Sequence, residues 1–147
     1  MRAPEDDPVV RLLAYWLRAK LMHEHMHTLI NVYRDRPGQA RLVTVARIFK
    51  EGRQLEFETY LSYWLSALFV VEQGLGKLLL NTDDLYNLFK EHSRSLKKLR
   101  QETYDFSVGT EGLNEMVKQL EWCERLHSAL RNRIGEIAQH LIEEGML

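Results

Sequence analysis

The sequence predicts an all-α protein, an up-and-down helical bundle of about five to six helices, three of them long. Two observations carry this. Apolar residues recur every three or four positions through most of the chain, which is the period of a helix with one buried face. Proline, which breaks helices, occurs only at Pro4, Pro8 and Pro37. Strand-like alternation is confined to Leu42-Val43-Thr44-Val45.

The first helix is expected from Pro8 to Tyr33. Pro8 suits a first turn, where its missing N–H has no intrahelical partner to lose. Its stripe is Val9, Leu12, Trp16, Ala19, Met26, Ile30 and Tyr33, and Asp35-Arg36-Pro37-Gly38 ends it. A short helix is expected over Arg41–Phe49, followed by a break at Glu51-Gly52. From Glu56 the seam Phe57, Leu61, Trp64, Leu68, Val71, Leu75, Leu78 steps by four and three. Gly74 and Gly76 mark either close helix contact or early fraying.

Thr82-Asp83-Asp84 predicts the N-cap of a short helix, Leu85 to His92, and Ser93 or Ser95 then caps another that ends near Phe106. Gly109-Thr110 opens the last long helix. Its seam is Leu113, Met116, Leu120, Cys123, His127, Leu130, Ile134, Ile137 and Leu141. Trp16, Trp64 and Trp122 are expected to anchor the packing, and the surplus aromatic surface of Tyr60, Tyr63 and Trp64 points to a homodimer.

The 147 residues are read as one domain, 1–147, with 45% apolar and 28% charged residues. The formal net charge of -1 gives no global attraction to nucleic acid or to an acidic membrane surface, so a polyanion site has to be a local patch. A single cysteine, Cys123, cannot form an intrachain disulfide. The longest apolar run, Ala67-Leu68-Phe69-Val70-Val71, is far short of a membrane span. The expected setting is cytoplasmic, without a membrane partner, and no cofactor is expected.

One catalytic signature occurs literally. "HEHMH" at 23–27 places His23 and His27 one helical turn apart with Glu24 beside the first, the spacing of a zinc-binding helix. A catalytic zinc site also needs a third protein ligand and an open position. Ile30 and Tyr33 occupy the places where an extended motif has Gly and His, and Glu56 or Glu58 are the candidate downstream carboxylates. The metal candidates are therefore His23 and His27, set against solvated or seam-edge side chains. His127 is read as a satisfied core histidine, with a Cys123/His127 nucleophile as the alternative.

The second half carries a resemblance. "YLSYWLSALFVVEQGLGKLLL" (60–80), "DDLYNLFKEH" (83–92) and "SLKKLRQETYDF" (95–106) follow one another as an aromatic-led helix with Glu72, an acid-capped helix and a basic helix with an Arg-centred end. This order resembles the HEPN superfamily of helical bundles, and within it small bacterial proteins of unknown function, over roughly residues 55–145. In active members of that family the resemblance implies metal-independent RNA cleavage by an Arg and a His, with two motifs meeting across a dimer. Arg100 matches the Arg, Gln101 stands where Asn is common, and Tyr104 and Phe106 match the flanking aromatics. Asp105 stands where the His is expected, and an ionised aspartate cannot serve as the acid.

The reading is a non-enzymatic HEPN-like bundle with a degenerate site, binding a nucleotide, an RNA or a protein partner. A ribonuclease using Arg100, or the Arg133/His140 pair on the last helix, is the alternative. Arg94, Lys97, Lys98, Arg100, Gln101 and Tyr104 are the candidate ligand-binding residues, with Arg131 and Arg133 as additional charges, set against a solvated helix face.

Overall fold

The computed structural model describes the backbone of residues 7–102 and 110–145, and side chains over 7–94 and 117–145. Five helices follow one another: α1 (Pro8–Tyr33), α2 (Arg41–Lys50), α3 (Gln54–Lys77), α4 (Asp83–Glu102) and α5 (Thr110–Glu143). No strand occurs among the described residues. Leu42–Val45 lies inside α2, so the strand-like alternation there is overridden. Thr44 and Val45 are buried with Ile48 on the inner face of that helix.

Side-chain pairs fix the directions. Leu12 meets Gly74, and His25 stacks on Tyr60, so α1 and α3 run antiparallel. Phe69 packs on Phe89 while Glu72 holds Asn81, which sets α4 antiparallel to α3. His92 packs on Trp122, and Arg133 reaches back to Leu80, so α5 is antiparallel to α4. The result is an up-down-up-down arrangement of α1, α3, α4 and α5, with α2 as a short cross-piece. The core is continuous from Leu12 on α1 through Trp64 on α3 to Ile137 on α5. All three tryptophans are buried in it.

The helix boundaries have local causes. The Asp7 carboxylate accepts from the Val9 N–H at 2.8 Å and Pro8 occupies the first turn of α1. Gly52, at φ +79°, closes α2: its N–H reaches Phe49 O and the Arg53 N–H reaches Ile48 O. The same closure ends α3, with Leu79 N–H on Gly76 O and Leu80 N–H on Leu75 O. There the left-handed residue is Leu79, at φ 57°, which costs about 1 kcal/mol relative to glycine. Thr82 Oγ1 caps α4 by accepting from Leu85 N–H at 3.2 Å.

Two expectations need correction. Leu85–His92 is not a separate short helix: α4 continues unbroken from Asp83 to Glu102, so four helices are long rather than three. Ser93 does not cap a new helix, because its hydroxyl donates to Lys90 O at 3.3 Å within the helix. Of the two late glycines of α3, Gly74 is the contact site. A Cβ there would lie 2.9 Å from Leu12 Cδ1, whereas Gly76 faces open space.

Candidate metal centre

His23 and His27 sit on the side of α1 that faces α5, one turn apart, with ring centroids 4.3 Å from each other. The third group comes from α5. Glu124 places Oε2 2.7 Å from His23 Nε2 and Oε1 2.6 Å from His27 Nε2. An ionised carboxylate only accepts, so both imidazoles present an Nε2–H to it. The carboxylate thus spans the two rings.

Burial alone would raise the Glu124 carboxyl, but the hydrogen bonds and charges of His23 and His27 outweigh it and hold the group far below the usual carboxylate range. The one-ligand-per-residue atoms of this trio lie within 4.8 Å of one another. A tetrahedral ion at ~2.0–2.2 Å from each ligand requires about 3.3 Å between donor atoms. The carboxylate oxygens would retreat by about 0.6–0.7 Å from the nitrogens they now touch, and the wider spacings, up to 4.8 Å, would close, both by side-chain rotation. Side-chain exposures of 19% for His23, 32% for His27 and 23% for Glu124 leave the cluster open to solvent on one side.

Behind the trio lies a buried support. His127 stacks on His23 with centroids 3.9 Å apart and planes 17° from parallel. The Trp64 indole N–H donates to His127 Nδ1 at 3.0 Å. Indole is a donor only, so Nδ1 holds a lone pair and the neutral ring carries its proton on Nε2. Trp16 also packs against His127, with ring centroids 4.8 Å apart and planes tilted by 36°. His127 is therefore the satisfied core histidine that its seam position suggests.

This has a pH consequence. Burial, with the neighbouring His23 charge, pushes His127 from 6.5 down to about 4. Above pH 6.5 the folded and unfolded chains agree in its protonation. Between 6.5 and 4 the unfolded chain takes up a proton that the folded chain refuses, so stability falls with pH, by at most about 3 kcal/mol. Urea melts from pH 7 to pH 4 should show this loss, and His127→Gln should flatten it. A native slope retained in the variant would assign the titration elsewhere.

The other candidates are dispersed. Glu56 pairs with Arg53 and Glu58 accepts from Gln54, so neither carboxylate belongs to the histidine pair. Burial pushes the Cys123 thiol far up, which keeps it protonated and removes the Cys123/His127 nucleophile. Arg133 donates through Nε to Leu80 O at 2.7 Å and through Nη1 to Glu136 at 2.9 Å. His140 is exposed, with its Nε2 3.9 Å from Glu144.

Arg94 is exposed on α4. The side chains of Lys97, Lys98, Arg100 and Gln101, and the whole of Tyr104 and Asp105, lie outside the described residues.

Glu124 is the residue that sequence reasoning missed. Its signal was faint: a carboxylate adjoining the seam between Cys123 and His127, where a solvated charge is equally usual. Comparison of the chain with protein-family models, curated proteins and solved structures finds no match. Among the described residues, no helix is long and apolar enough to cross a membrane.

Proposed function

We propose that this protein binds one divalent transition-metal ion through His23, His27 and Glu124. The observation that carries the reading is the Glu124 carboxylate lying against both imidazole Nε2 atoms. Two nitrogen donors and one oxygen donor suit the zinc-to-iron range of borderline cations better than calcium or magnesium, which favour oxygen alone. The solvent-open side leaves a coordination position for water or an outside ligand. Titration calorimetry of zinc into metal-free protein is expected to give one equivalent, and Glu124→Gln, which keeps the shape but not the charge, to weaken binding by about 100-fold. Zinc binding unchanged in that variant would overturn the reading.

A second reading concerns α4 and rests on the resemblance to HEPN-like proteins. In its favour, α4 runs unbroken to Glu102, so Arg94, Lys97, Lys98 and Gln101 recur at helical spacing on a single element. We propose RNA phosphate as the partner of this stretch, with Arg100 at its end. In EDTA, single-stranded RNA is expected to bind without being cut, and Arg100→Ala to weaken that binding. EDTA-resistant cleavage would instead favour the nuclease, and no RNA binding at all would remove both.

A further inference from the structure

A trough of about 640 Å³ runs along the outer junction of α1 and α3, on a different side of α1 from the histidine pair. Its walls are Tyr15, Met22, Tyr60, Tyr63 and Val70, and Ser66 and Ala67 keep its floor low. It continues past Tyr15 and Val70 into a smaller depression of about 180 Å³ that ends at Lys77. From Thr59 to Lys77 α3 advances about 27 Å at 1.5 Å per residue, the length of about 18 helical residues. Tyr63 is 64% exposed and Tyr15 37%. Exposed tyrosines on an apolar trough present the aromatic, hydroxyl-tipped surface on which protein contacts concentrate.

The charged side chains that line this trough are basic among the described residues, with Glu56 just outside it on the Tyr60 hydroxyl. Arg18 lies over the Tyr15 ring at 4.9 Å, Arg11 and Lys77 line the extension, and among the described residues no acidic side chain lines either part. A second copy docking the same face two-fold would bring like charges together, which self-complementary interfaces avoid. An apolar stripe flanked by carboxylates meets both requirements of the surface at once.

We propose that the α1/α3 trough is a docking site for an acidic amphipathic helix of a protein partner. Leucine-like side chains at i, i+3, i+4 and i+7 enter between the tyrosines, and flanking Glu or Asp meet Arg18 and Lys77. The proposal does not depend on metal.

The test is fluorescence anisotropy with two labelled 18-residue helical peptides, identical in their leucine stripe and flanked by either Glu or Lys. The Glu-flanked peptide is expected to bind at least about tenfold more tightly, with affinity falling as salt rises. Arg18→Glu is expected to reverse the preference and Tyr63→Ser to weaken both peptides. Both positions are exposed, so unchanged melting curves will separate loss of binding from loss of fold. Equal affinity for the two peptides, or no binding of either, overturns the proposal. So does sedimentation showing a dimer that Tyr63→Ser dissolves, since the trough is then filled by a second copy. Tighter binding of oleate than of the Glu-flanked peptide also overturns it.

Discussion

Zinc at a hundredfold excess over its dissociation constant is expected to stabilise the native chain by about 2.7 kcal/mol, because the ion binds the folded state and not the unfolded one. For a domain of this size that is a rise of roughly 5–10 °C in melting temperature. The Glu124→Gln variant should show almost none of it. His27→Ala should behave likewise, because two remaining donors hold an ion far less well than three. The effect should weaken as pH falls, since each imidazole must give up the Nε2 proton it now offers to Glu124 before that nitrogen can ligate. Differential scanning calorimetry with and without zinc, at pH 7.5 and 5.5, checks all three statements. An identical zinc-induced shift in wild type and Glu124→Gln would place the ion elsewhere.

The second large effect is structural. Trp64 is wholly buried, fills the centre of α3 and donates to His127. Trp64→Ala is expected to cost about 3–5 kcal/mol through the lost burial and the cavity. That is a large part of the ~5–15 kcal/mol a domain has in total, so the variant should melt roughly 6–20 °C lower. Trp64→Phe keeps most of the volume but leaves the His127 Nδ1 acceptor without its donor, at about 1–3 kcal/mol. Chemical melts of the two variants separate the packing contribution from the hydrogen bond. Equal losses would mean that the ring's volume carries little of the stability.

Much of the fold could be read from periodicity. α1 begins and ends where Pro8 and the Asp35–Gly38 stretch suggest, and the α3 seam is buried from Phe57 to Leu75, with its last member Leu78 half-buried. Cys123, His127, Leu130 and Ile134 likewise line the core. Periodicity failed at Ser93, where a residue that caps helices well also fits inside one when its hydroxyl turns back on the preceding turn. It also failed at Leu79, because a left-handed closing residue is ordinarily sought at glycine.

The site was half legible. The i,i+4 spacing of His23 and His27 follows from the helix alone. The meeting with Glu124 does not, since a helical pattern tells which face turns inward and not which inward faces meet. Fold class was therefore easier to read than chemistry.

The partners of the His–Glu–His cluster stand 97 and 101 positions apart along the chain. A growing chain that has emerged only through α3 offers a bare imidazole pair and no carboxylate to close it. Such a pair binds a cation weakly and exchanges it readily. The trio comes into being only when α5 docks against α1, the last event that chain order allows. Metal capture therefore cannot guide the early steps of folding. It would act afterwards as a latch on finished molecules, slowing their unfolding while leaving the rate of their folding nearly unchanged.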